Sequence, residues 1–185
     1  MEYLMELSED GVPTGRLVSR EEAHAKGVLH GTSQIFIYRY KNDGLEILLQ
    51  RRVADKDSFP NCLDISCAGH IPGEMTYTQN AVKELEEELG IKVKESDLQK
   101  LFFHKSEKKN IFYGKLFYDR QISMVYALKM DVNADKIKFQ KEEISEVLWA
   151  KAEDILERTQ SGAEDICIDH EKLERVIGYL KGKGI

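Results

Sequence analysis

The sequence predicts an α+β fold built as one domain over residues 1–185. Segments rich in β-formers outnumber those with a helical apolar stripe, and turn residues separate them at short intervals. No internal repeat, low-complexity tract or Pro/Ser-rich linker divides the chain, and 185 residues are enough to bury a real core.

Residues 3–7 read as a strand, Ser8 to Gly15 as turn chemistry and residues 16–19 as the returning strand. Ser19 can cap a short helix over residues 20–26 that Gly27 ends, so residues 1–30 form a hairpin and a helical turn. Residues 32–40 alternate as a strand, Lys41 to Gly44 make a tight turn and residues 45–52 pair back. Residues 59–66 then lead to a loop broken by Gly69, Pro72 and Gly73. A helix follows, capped by Thr76 or Thr78 and stopped by Gly90. Strands are expected at residues 99–106, 111–117 and 122–130, and an acidic loop then a strand over residues 139–149. Helices close the chain, one over residues 150–160 and one capped by Asp169. Leu173, Val176, Ile177 and Leu180 of the last helix form a stripe expected to pack on the sheet, and Gly182 and Gly184 end it.

The chemistry gathers on the helix after Gly69. Ala81, Val82, Leu85 and Leu89 make its apolar stripe, while Glu84, Glu87 and Glu88 recur at the same spacing on another face. Stacked like charges repel by a few tenths of a kcal/mol per exposed pair, about 0.2–0.5. A divalent cation turns that repulsion into coordination, and Mg²⁺ or Mn²⁺ prefers carboxylate oxygen. Acidic helical runs are more often solvated faces, so the frame around this one decides.

That frame resembles the signature of the Nudix hydrolases, G-x5-E-x7-R-E-U-x-E-E-x-G-U, with U a bulky aliphatic residue. Gly69, Glu84, Leu85, Glu87, Glu88, Gly90 and Ile91 match it without a gap over residues 69–91. Lys83 stands at the Arg position and keeps the charge without the bidentate fork. Met75 stands at the first Glu position, with Glu74 one residue early. Gly11, Thr14, Gly15, Arg20, Ala23 and His24, then Phe59-Pro60 and Asp64-Ile65-Ser66, resemble the isopentenyl-diphosphate-isomerase-like branch of that superfamily.

The resemblance implies a Nudix α/β/α sandwich with a mixed sheet and an added N-terminal hairpin. It implies Mg²⁺ or Mn²⁺ held by Glu84, Glu87 and Glu88, with Glu74 as a further ligand and Lys83 supporting the helix face. The implied reaction is hydrolysis of a nucleoside diphosphate linked to another moiety, a small-molecule diphosphate substrate. Arg51, Arg52, Gly69 and His70 are the substrate-side candidates, with solvated arginines the equal alternative for the first two. Glu142 and Glu143 are candidates for a base or a further ligand, and two surface acids in a loop are as good a reading.

Two other readings stand beside this one. Isopentenyl-diphosphate isomerase is favoured by His70, which matches its metal-binding His, and by His30. Against it stand Ala68 directly before Gly69-His70, Asp119-Arg-Gln121 in place of Glu-x-Glu, and the adjacent pair Glu87 and Glu88. A non-catalytic binding module is the third reading, favoured by Met75 and Lys83.

The net charge of -6 and pI near 5.5 argue against a general nucleic-acid or membrane-surface binder. No apolar run is long enough to span a bilayer and no signal peptide opens the chain, so a cytoplasmic protein is expected, with homodimerisation left open. Cys62, Cys67 and Cys167 are read as buried small hydrophobes, Trp149 as core, and His24, His104 and His170 as surface or structural residues.

Overall fold

The computed structural model describes residues 2–41, 44–73 and 75–182. The expected N-terminal hairpin is β1 (Tyr3–Leu7) with β2 (Pro13–Ser19), followed by α1 (Arg20–Lys26). Ser19 caps α1 by accepting from the Glu22 N–H, as its position predicts. The sheet is completed by β3 (His30–Lys41), β4 (Gly44–Arg52), β5 (Leu63–Asp64), β6 (Cys67–His70), β7 (Gln99–Phe112), β8 (Lys115–Lys129) and β9 (Ile144–Lys151). Its helices are α2 (Tyr77–Leu89), α3 (Ala152–Gln160) and α4 (His170–Leu180).

β3 is the axis of an open, mixed sheet. Its C-terminal half pairs antiparallel with β4, its N-terminal half antiparallel with β6, and its whole middle runs parallel to β8 from His30↔Gln121 to Tyr38↔Lys129. β9 and β5 extend the β4 side, and β7 extends the β8 side. Successive strand side chains point to opposite faces, and both faces of β3 are covered. Ile35 and Ile37 join Ala81, Leu85 and Leu89 of α2 in one core; Phe36 joins Leu173, Val176 and Ile177 of α4 in the other. The stripe expected on the last helix therefore packs on the sheet as anticipated.

Two expectations change. The three strands expected between residues 99 and 130 are two long ones, β7 and β8, paired from Gln99↔Ala127 to Phe112↔Lys115. Their turn is Tyr113-Gly114, with φ of 51° and 75°, a two-residue hairpin in which both residues take the left-handed conformation. Tyr is an unusual first residue there, which hid the turn inside an apolar run. The helix start also resolves: Thr76 accepts from the Gln79 N–H while the Gln79 side chain accepts from the Thr76 N–H, a full capping box. Thr78 lies within α2, its hydroxyl 3.0 Å from the Tyr126 hydroxyl. The tight turn expected at Lys41–Gly44 includes Asn42 and Asp43, and Gly184 was expected past the last helix; these three lie outside the described residues. Among the described residues, no helix is long and apolar enough to cross a membrane.

Ser66 locks the segment that delivers the chain to Gly69. Its buried hydroxyl donates to the Leu48 carbonyl at 2.6 Å and accepts the Ile37 N–H at 2.8 Å, joining β4 and β3 where no ladder bond does. Ser66→Ala leaves two buried backbone groups unpaired, at about 1–3 kcal/mol each. Urea unfolding is expected to show a loss of about 2–4 kcal/mol; a loss below about 0.5 kcal/mol would show that neither bond matters.

Candidate active site

Three hydrogen bonds to backbone carbonyls tie α2 to the rest of the fold, and a glycine cap ends it. Ser33 of β3 donates to the Tyr77 carbonyl at 2.7 Å, and Asn80 Nδ2 donates to the Gly69 carbonyl at 3.1 Å. At the other end Gly90 adopts φ 64° and its N–H donates to the Glu86 carbonyl, while the Gln140 N–H reaches the Glu88 carbonyl at 2.8 Å. The helix is thus pinned with its acidic face along β6. Gly69 makes that approach possible: a Cβ there would lie 2.1 Å from Glu84 Cδ. A Cβ at this position fits only if the Glu84 carboxyl swings aside.

The three acids differ in environment. Glu84 is nearly covered, its side chain 13 % exposed, and Glu87 is open at 55 %. Lys83 bridges them, 2.6 Å from Glu87 Oε2 and 3.3 Å from Glu84 Oε1. Burial pushes the Glu88 carboxyl up to about 7, with the Glu84 charge adding to it, against a hydrogen bond from Cys67 and the charge of Lys56. Burial likewise raises Glu84, opposed by Lys83. Burial works against the Lys83 ammonium, but its bonds to Glu87 and Glu84 outweigh it and raise its pKa. Gln50 Nε2 donates to Glu88 Oε2 only at 3.4 Å, and a covered carboxylate held this loosely is short of positive charge. The donor set, all carboxylate oxygen in a cluster where the Glu87 charge raises Glu84 and the Glu84 charge raises Glu88, fits a hard divalent cation.

The acids open on a cavity of about 530 Å³. Arg52 and Lys56 line it; Arg52 donates to the Ser58 carbonyl and lies 3.5 Å from Asp64, and Lys56 forms an ion pair with Glu143. Burial, then Arg52 and Arg20, depress the Lys56 pKa. Glu143 thus stands at the cavity, while Glu142 is exposed outside its lining. Arg51 is not brought to the site. Its neighbours Gln50 and Arg52 face the cavity, so strand alternation turns it the other way, onto Glu146 and the Asn61 carbonyl. Glu74 lies outside the described residues. Trp149 packs on the α2-side core, as expected, with the Arg39 guanidinium 4.1 Å from its ring centre.

A second donor set lies in the same cavity. His24, His30 and His70 bring one ring nitrogen each within 4.8 Å of one another. His24 Nε2 and His30 Nε2 each lie 3.6 Å from Asp119 Oδ1, and all three atoms are buried without a hydrogen-bond partner. His30 Nδ1 sits 2.8 Å from the Val28 carbonyl, which assigns the proton to Nδ1 and leaves Nε2 as a bare lone pair facing a carboxylate. Burial keeps the His30 and His70 pKa values low. His24, read as surface or structural, is 6 % exposed in this cluster, so the surface alternative falls away. The seven-residue α1 carries no apolar periodicity that could have revealed which way it faces. Lys56 and Lys172 also line the cavity and were not singled out, and Asp64, noted only within a motif, lines it too. Lys172 had one signal: it borders the apolar stripe of α4, one turn before Val176.

A family model described as the NUDIX domain matches residues 30–168. The chain is 32 % identical over 155 residues to Nudix hydrolase 3 of Arabidopsis thaliana, covering 83 % of this chain and 20 % of that protein. It is 30 % identical over 160 residues to an uncharacterised Nudix hydrolase of Listeria monocytogenes, covering 86 % of this chain and 85 % of the other. The chain thus spans only a fifth of its plant relative and 59 % of a Clostridium acetobutylicum relative. Among solved structures, DR0079 from Deinococcus radiodurans superposes with a TM-score of 0.73 at 21 % identity, covering 94 % of this chain and 98 % of that one. The NUDIX domain of Shewanella oneidensis NrtR, complexed with ADP ribose, superposes with a TM-score of 0.60 at 16 % identity, covering 88 % and 99 %. These two likenesses concern the fold.

Gly69→Ala tests the cradle directly. It is expected to leave the circular dichroism spectrum unchanged, push the Glu84 carboxyl aside and weaken Mn²⁺ binding roughly tenfold or more in calorimetric titration. Unchanged affinity would remove Glu84 from the cation site.

Proposed function

Since the chain belongs to the Nudix hydrolase family, we propose that it hydrolyses a nucleoside diphosphate linked to another moiety in a reaction that depends on Mg²⁺ or Mn²⁺. The observation that carries this reading is the acidic face of α2, held against Gly69 at the mouth of a cavity that Arg52 and Lys56 line. A divalent cation bound there supplies Lewis acidity, offsetting charge on the diphosphate and lowering the pKa of an attacking water.

The chain's own residues do the rest. Glu84, Glu87 and Glu88 hold the cation, and Gln50 orients the Glu88 carboxylate. Lys83 keeps Glu84 and Glu87 together, taking the place of the family's Arg. Arg52 and Lys56 present positive charge to the phosphates, with Arg52 oriented by its bonds to the Ser58 carbonyl. Glu143 is the candidate base; its pairing with Lys56 holds it at the cavity wall. Gly69 admits Glu84, and His70 belongs to the histidine cluster at the adjoining wall.

The histidine cluster favours a second reading, the isomerisation of prenyl diphosphates, because imidazoles and Asp119 form a cation site of a different kind in the same cavity. Against it, Ala68 lines the cavity while Cys67 is fully buried in the α2-side core, so no thiol stands in the wall before Gly69.

Glu87→Gln and Glu88→Gln are each expected to lower turnover of a mixed panel of nucleotide sugars, dinucleotides and other nucleoside diphosphates roughly a hundredfold or more, with the protein still folded. Near-normal turnover in both would sink the hydrolase assignment. Interconversion of isopentenyl and dimethylallyl diphosphates by the native protein would replace it with the second reading.

A further inference from the structure

The cavity has another end, built by α4 and β7, that hydrolysis of the diphosphate leaves unused. Asp169 caps α4 by accepting the Lys172 N–H at 2.9 Å, and the Lys172 side chain faces the cavity beside Asp169 and Cys167. Lys172 is only 7 % exposed. Among the described residues, no oxygen accepts a hydrogen bond from its ammonium and no carboxylate pairs with it. The acids nearby are committed elsewhere: Asp64 lies 3.5 Å from Arg52, and Asp169 is the helix cap and faces His104 at 3.8 Å.

Lys108, on the inward-facing side of β7, lines the same end, and it too has no acidic partner among the described residues. Ser106 adds a hydroxyl that can donate to an anion. Burial and then the Lys108 charge depress the Lys172 pKa to about 8, so the ammonium is held at a cost and still predominates at neutral pH. A lysine kept nine-tenths buried, beside a second unpaired lysine and in an open cavity, is a site lacking its counter-charge.

We propose that this end of the cavity binds a phosphate group on the part of the substrate remote from the scissile diphosphate. Two unpaired ammonium groups match a phosphate dianion in charge, and lysines bind it as point charges without the planar fork a carboxylate favours. The inference rests on the hydrolase reading for what the rest of the ligand is; the phosphate site itself does not require it.

The test uses the full chain in excess chelator, where the carboxylates of α2 repel anions, and inorganic phosphate as the probe. Phosphate is expected to bind in calorimetric titration and to raise the Tm. Lys172→Met, which keeps the side-chain stem, and Lys108→Met are each expected to weaken binding roughly tenfold. Lys92→Met, at an exposed lysine outside the cavity lining, is expected to bind phosphate as the native protein does. Native-like phosphate affinity in both lysine variants would overturn the proposal, as would acetate binding as tightly as phosphate. Lysine-dependent phosphate binding in a protein that hydrolyses no diphosphate would leave this site standing and remove only the hydrolase reading.

Discussion

The structure depends on how closely α2 can lie on the sheet. Gly69 in β6 leaves space that the Glu84 carboxyl fills, and any Cβ there would stand at 2.1 Å from its Cδ. That approach is held by the Asn80 bond to the Gly69 carbonyl and by the capping box at Thr76. On its other side α2 buries Ala81, Leu85 and Leu89 completely against Ile35 and Ile37. Hydrophobic burial therefore supplies the force that presses Glu84 and Glu88 into a partly covered wall beside the open Glu87, where repulsion between the covered pair is strengthened. The raised pKa of Glu84 and of Glu88 is the record of that pressure.

Much of this was legible in the sequence because it rests on local signals. The gapless run from Gly69 to Ile91 placed the loop, the helix and the acids together, and the alternation of residues 32–40 marked the central strand. What stayed hidden was long-range. Nothing local says that β8 returns parallel to β3, which is what carries Asp119 to His30. Nor does spacing say which way a seven-residue helix turns, so His24 could not be joined to His30 and His70. Arg51 and Arg52 illustrate a finer limit: adjacent in sequence, they part to opposite faces of β4, and only the register decides which one sees the cavity.

Two donor sets share one cavity and differ in kind. The acids of α2 offer only hard oxygen, while the three imidazoles with Asp119 offer the nitrogen-rich set that suits borderline transition metals. The first lies on the element that the family's signature defines; the second is assembled from α1, β3, β6 and β8, elements far apart in the chain. Arg52, Lys56, Lys108 and Lys172 line the same space as these acids, so the cavity of a chain of net charge -6 offers its ligand positive charge at fixed points in a mixed lining.

The account's central claim is that the α2 carboxylates, brought together over Gly69, form the cation site. Diffraction from crystals soaked in Mn²⁺, collected with anomalous signal from the metal, tests it most directly. The account predicts an anomalous peak bounded by the Glu84 and Glu88 carboxylates. A peak confined to His24, His30 and His70, with none at α2, would contradict it.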